Sequence, residues 1–119
     1  MEGMTLNLDS SNKGVDLQPG KVVIWIAGGC GVQLNDFTAH FLDLETNRAI
    51  EASVVISKIQ WIKNGRKAKR MLKAVIPEGG KYKIVLHGTD SLEVRKSNLF
   101  VTSLFQKPLQ RDQIELIIE

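Results

Sequence analysis

The stretch Val75-Ile76-Pro77-Glu78-Gly79-Gly80-Lys81-Tyr82-Lys83-Ile84-Val85-Leu86 reads as strand, corner and strand, and a chain that contains it has few ways to fold. Pro77 has no N–H to donate to a sheet ladder, and Gly79-Gly80 permits positive φ. One strand is therefore expected to leave at Ile76 and another to start at Lys81. From Lys81 the period is two. Tyr82, Ile84 and Leu86 fall on one face and Lys81, Lys83 and Val85 on the other, as in a strand with one face in a core and one largely in water.

The rest of the chain reads the same way. Thr5 to Leu8 alternates weakly ahead of the loop-forming run Asp9 to Gly14, which makes it a short edge strand. Val15 and Leu17 lead to the turn signal Pro19-Gly20. Lys21 to Ala27 is β-branched and apolar on both faces, which places it centrally or beneath a cover on its outer face. Gly28-Gly29-Cys30-Gly31 ends it as a plain turn. Asp36 to Leu44 alternates, with Phe37, Ala39, Phe41 and Asp43 on one face, and Glu45 to Arg48 folds it into a hairpin. Ala49 to Ser57 and Lys58 to Ile62 continue as strand up to Asn64-Gly65, a dipeptide favoured in two-residue hairpin turns.

Arg66 to Ile76 fits two periods. Ala68, Met71, Leu72 and Val75 match a helical face, whereas Arg70, Leu72, Ala74 and Ile76 match a strand face. Residue propensities favour helix, but the Asn-Gly turn and the Pro77 corner flank the segment and a lone helix is out of keeping with its neighbours, so strand is the expectation. His87 to Asp90 turns the chain, and Leu92 to Lys96, Leu99 to Phe105 and Gln113 to Ile118 complete it. Strands at roughly 8–12-residue spacing with turn signals between them belong to a sandwich or a barrel.

The 119 residues suit one domain, and 43% hydrophobic with 24% charged residues is a globular composition. A net charge of +3 is compatible with nucleic acid, an anionic surface or neither. The single cysteine, Cys30, rules out an internal disulfide framework. Val22 to Ala27 is the longest apolar run and is far too short to span a bilayer, so no membrane insertion is expected. Ala27-Gly28-Gly29-Cys30 looks like a lipoprotein cleavage box, but the apolar run before it is short and acidic residues precede it, which favours a buried strand and a glycine turn. If Met1 is the native start, the chain is expected to be cytoplasmic.

The spacing Glu78-x-Gly80-x-Tyr82 is similar to the tyrosine corner of immunoglobulin-like sandwiches, in which a tyrosine at the start of a strand bonds back across the corner. Together, Leu17-x-Pro19-Gly20-x-Val22-x-Ile24-x-Ile26-Ala27-Gly28 and Val75-Ile76-Pro77-x-Gly79-Gly80-x-Tyr82-x-Ile84-x-Leu86 resemble the IPT/TIG family of immunoglobulin-like domains. In particular, the chain looks like the bacterial immunoglobulin-like domains of unknown function that follow an HU-like DNA-binding domain in Bacteroidetes proteins. Phe41-x-Asp43-x-x-Thr46 and Leu104 to Leu109 extend it over most of the chain. The resemblance implies an all-β, disulfide-free immunoglobulin-like β-sandwich of about seven strands, non-enzymatic and often one module of a longer protein. Two departures accompany it. No HU-like segment precedes Met4, so a DNA-binding role is not carried over, and the hairpin from Trp61 to Met71 is longer and more charged than the family pattern.

Two features are candidates for function. The first is the basic run Lys63, Arg66, Lys67, Lys69, Arg70 and Lys73 with Trp61 beside it, in which cations can track phosphates and the indole can stack on a base. The plainer reading is a solvated hairpin whose lysines blunt an edge strand against aggregation. The second is the face carrying Val23 and Trp25, opposite Val22, Ile24 and Ile26. It requires a cover, supplied either by this chain or by a protein partner or second copy. Cys30, His40 and His87 lack the paired spacing of a zinc site, and no nucleophile elbow, phosphate-binding loop or assignable carboxylate pair is present. The expectation is a binding or spacer module with no enzymatic activity, cofactor or metal, acting by protein–protein contact or self-association. The alternative is a nucleic-acid-associated domain using the basic hairpin.

Overall fold

The computed structural model describes residues 4–8, 13–29, 31–55, 59–63, 65–95 and 113–119, and its regular structure is strand with short 3-10 turns. The strands are β1 (Met4–Asn7), β2 (Lys13–Leu17), β3 (Gly20–Ala27), β4 (Gly31–Gln33), β5 (Thr38–Asp43) and β6 (Ala49–Glu51). They continue with β7 (Ser53–Val54), β8 (Gln60–Lys63), β9 (Arg66–Ile76), β10 (Gly80–His87), β11 (Glu93–Arg95) and β12 (Glu115–Ile118). One sheet runs β1-β12-β3-β9-β7, with β8 also paired to β9; a second runs β2-β10-β5-β6; β11 and β4 form a small third. Every pairing is antiparallel. Among the described residues no helix is long and apolar enough to cross a membrane. The strand expected at Leu99 to Phe105, the loop residues Asp9 to Asn12, Cys30 and Asn64 lie outside the described residues.

Both larger sheets feed one core. Val22, Ile24, Ile26, Leu72, Ala74 and Ile76 from the first sheet are buried in the same cluster as Val15, Leu17, Ala39, Phe41, Tyr82, Ile84 and Leu86 from the second. Alternation decides this, because successive side chains of a strand point to opposite faces and only one face meets the other sheet. Of the segment expected as one strand from Ala49 to Ser57, the described part holds two strands that belong to different sheets, β6 beside β5 and β7 beside β9, while Ile56, Ser57 and Lys58 lie outside the described residues. At the crossing the Ala52 N–H donates to Ala39 O at 3.0 Å. Gly31, expected as part of a plain turn, is the first residue of β4, a strand not anticipated from its three residues.

Arg66 to Ile76 is strand throughout, and a bulge explains its double periodicity. Ile24 pairs with Leu72 but Trp25 pairs with Arg70, leaving Met71 as the extra residue on β9. An extra residue reverses the alternation locally. Met71 and Leu72 are thus buried in succession in the main core, which mimics helical spacing, while Val75, the fourth member of the supposed helical face, is 66% exposed.

The corner at Pro77 carries the chain from the first sheet to the second. β9 ends at Ile76 and β10 begins at Gly80, one residue earlier than expected. The turn at Pro19-Gly20 carries it the other way, from β2 in the second sheet to β3 in the first. These two arches lie together: Gly20 pairs with Ile76 and Gly80 with Leu17. A Cβ on Gly79 would stand 3.2 Å from Pro19 Cδ and 3.4 Å from Leu17 O, so a side chain here would press on the neighbouring arch. The Tyr82 hydroxyl donates to Glu78 O at 2.5 Å, closing the corner from inside.

Tyr82 is the only tyrosine in the chain, so its ionisation can be followed alone. Burial, then the negative charges of Asp43 and Glu78, raise its pKa above the ordinary 10.0. The unfolded chain therefore loses this proton first, and the stability associated with the neutral phenol, complete below the ordinary value, is lost as pH rises through the raised one. Tyr82→Phe is expected to lower stability by about 1–2 kcal/mol, read as a lower urea midpoint at unchanged slope. Tyrosinate absorbance in the parent chain should rise together with alkaline unfolding, and the phenylalanine variant should lack this component of the pH dependence.

Candidate functional site

The outward face of the first sheet is built in cross-strand rows. In one row Asn7, Glu115, Ala27, Ala68 and Trp61 stand side by side across β1, β12, β3, β9 and β8; in the next stand Thr5, Ile117, Trp25 and Arg70. Trp25, Ala27, Ala68 and Ile117 form a small apolar cluster of their own, with Val23 packed against it. Lys63 reaches from β8, its Nζ 4.7 Å from the centroid of a Trp25 ring and 2.7 Å from Glu119 Oε1. A cation over an indole face is attracted by the ring quadrupole, and its aliphatic stem shields the ring from water.

Trp25 is consequently only 7% exposed, and Val23 is half-buried. Ile117, Ala68 and Lys63 of this chain cover Trp25. Val23 is held at its edge of the row by two backbone bonds to Glu119, at 2.9 and 3.0 Å. Two buried donors in this neighbourhood, Trp25 Nε1 and Arg70 Nε, have no hydrogen-bond partner among the described residues.

The basic hairpin is also reorganised by the pleat. Lys63 pairs with Arg66, Ile62 with Lys67, Trp61 with Ala68 and Gln60 with Lys69. Directly paired residues share a face, so Trp61, Lys63, Arg66 and Arg70 lie on the Trp25 side and Ile62, Lys67 and Lys69 on the other. A run continuous in sequence becomes two half-runs on opposite faces. Arg66 Nη1 is 2.5 Å from Glu115 Oε1, and its Nη2 donates to Gln113 O, so Arg66 and Lys63 are both tied to the C-terminal strand segment. Their side chains are 23–33% exposed together with those of their partners, and pairs of this kind contribute roughly 0–1 kcal/mol each. Their larger effect is on availability: two of the six candidate phosphate contacts already face carboxylates.

Exposed apolar surface collects on β8. Trp61 is 66% exposed and Ile62 57%, on opposite faces of one short edge strand, with Ile59 exposed beside them. Trp61 was already conspicuous in the sequence; Ile62 and Ile59 were not, because a half-exposed isoleucine has the same sequence pattern as a buried one.

The second sheet places His40 and His87 with ring centroids 5.3 Å apart and stacked. Their meeting depends on the register of β5 with β10, where Val85 lies opposite His40 and His87 follows two residues on. Forty-seven positions separate the two histidines in the chain, so no sequence spacing announces the pair. Among the described residues no group of three or more His, Cys, Asp or Glu side chains is placed to hold a metal ion. Comparison with models of protein families, with curated proteins and with solved structures finds no match to the chain.

The two tryptophans should report these environments separately. Trp61→Phe should leave blue-shifted emission that iodide quenches poorly, and Trp25→Phe red-shifted emission that iodide quenches readily. Trp25→Ala is expected to cost about 3–5 kcal/mol in chemical denaturation, because a large buried ring is removed from between strands. Equal quenching of the two single-tryptophan variants would contradict the covering of Trp25.

Proposed function

We propose that this chain is an immunoglobulin-like β-sandwich module of the IPT/TIG kind that binds a protein partner and has no catalytic role. Three features support the architectural part: two larger sheets sharing one core, adjacent arches between them, and a tyrosine that bonds back across its corner. The docking surface in this reading is the β8–β9 hairpin and not the Val23 and Trp25 face. The observation that carries it is Trp61, two-thirds exposed beside the exposed Ile62 on an edge strand. Tryptophan is enriched at interface hot spots, and a protein gains little by leaving one in water unless something covers it.

A nucleic-acid role for the same hairpin is the weaker reading. It needs cations gathered on one face around the indole, and two of those on the Trp61 face, Lys63 and Arg66, are engaged by Glu119 and Glu115.

A photo-crosslinking residue at position 61 is expected to trap a discrete protein species in cells that express the chain natively. The same residue at position 45, in the exposed turn after β5, serves as the control. Trapping at 61 alone supports the module reading. Identical products from the two positions, or only nucleic acid at 61, would overturn it.

A further inference from the structure

Resting on the binding-module reading, we propose that the partner docks by adding a strand to the free edge of β8, and that this strand is an acidic segment with alternating apolar residues.

The backbone supplies the first part. The Arg70 N–H donates to Ile59 O at 2.9 Å, in the same register that pairs Lys63 with Arg66. In an antiparallel ladder, hydrogen-bonded and non-bonded pairs alternate. Ile59, Trp61 and Lys63 therefore turn their N–H and C=O groups inward to β9, while Gln60 and Ile62 turn theirs outward. The Gly28 N–H bond to Lys67 O at 2.9 Å confirms this parity from the opposite side of β9, where Lys67 and Lys69 face β3. Among the described residues no strand pairs with the outer edge of β8.

Proteins that do not use such an edge protect it with inward charges, proline or bulges. β8 carries only one charge, and that one is diverted: Lys63 folds over Trp25 to reach Glu119. Trp61 and Ile62 stand exposed on the two faces, ready to pack against alternate side chains of an added strand.

Charge selects the occupant. Lys67 is exposed and lies directly across from Ile62, with Lys69 on the same face and a net chain charge of +3. An added strand would run two strand spacings from β9, about 9.6 Å, a gap that a lysine and a glutamate side chain together bridge. A second copy of this chain pairing edge to edge would instead bring two basic hairpins together, which like-charge repulsion opposes. An acidic strand gains on every term: backbone bonds to Gln60 and Ile62, apolar contact with Trp61, and carboxylates towards Lys67.

The test selects random dodecapeptides displayed on phage against the full chain at physiological salt, with amide hydrogen exchange as the structural readout. Enrichment of net-negative peptides with acidic and apolar residues alternating, and slowing of Gln60 and Ile62 amide exchange by about tenfold or more when they bind, supports strand addition. Lys67→Glu and Trp61→Ser should each weaken these peptides by about tenfold, with unchanged thermal unfolding. Neutral or basic winners, winners that leave those two amides unchanged, or no winners would overturn the proposal. So would slowing of the same amides by the chain's own concentration, which assigns the edge to a second copy, or by a single-stranded oligonucleotide. A protein trapped at position 61 with Gln60 and Ile62 still exchanging freely would leave the binding-module reading standing and remove only strand addition.

Discussion

The chain passes between its two larger sheets at arches that lie against one another, and that contact sets the geometry of everything else. Pro19-Gly20 brings β2 to β3, Pro77 to Gly80 brings β9 to β10, and Gly79 sits within 3.2 Å of Pro19 when a Cβ is imagined on it. Tyr82 anchors the second arch by bonding to Glu78 O, and its ring lies in the core between the sheets. Since Gly20 pairs with Ile76 and Gly80 with Leu17, both ladders start from this point. Each sheet's register is thereby referred to the other, and the inward faces of β3, β9, β2 and β10 meet as one core.

From that anchored end the ladder between β3 and β9 runs regularly until the bulge at Met71. The bulge has two consequences. It commits both Met71 and Leu72 to the core, and it resets the outward residues so that Arg70 and Ala68 stand beside Trp25 and Ala27. The small outer cluster depends on this reset. Without the extra residue Met71 would pair with Trp25 on the outward face and Arg70 would turn inward among the apolar side chains, which burial of a guanidinium opposes.

Covering Trp25 also determines which part of the hairpin stays exposed. Lys63 and Arg66 bend back to Glu119 and Glu115, so the C-terminal strand neutralises part of the hairpin and closes the outer face at the same time. Among the described residues β8 stays exposed, with Trp61 and Ile62 in water, the backbone groups of Gln60 and Ile62 turned outward, and Lys67 on one flank. In the proposed reading the docking surface lies where the described strands stop covering one another. It coincides with the basic hairpin seen in the sequence, through its edge and its indole, with Lys67 as the exposed cation beside them.

Local chemistry made much of this fold legible from residue order alone. The alternation after Lys81, the breaks at Pro19, Pro77 and the glycine pairs, and the corner tyrosine all depend on neighbours within a few positions, where pleat and φ preference act directly. The twelve strands among the described residues outnumber the seven or so implied by the family resemblance, because Ala49 to Val54 divides between two sheets and β4 and β11 form a third. The position of the bulge, the division of the cations between two faces and the cover over Trp25 were not legible. Each rests on pairing between distant segments: Arg66 meets Glu115 from 49 positions away. A sequence pattern states which side chains need burial, whereas the partner that buries them is chosen by register and packing once the sheets have met.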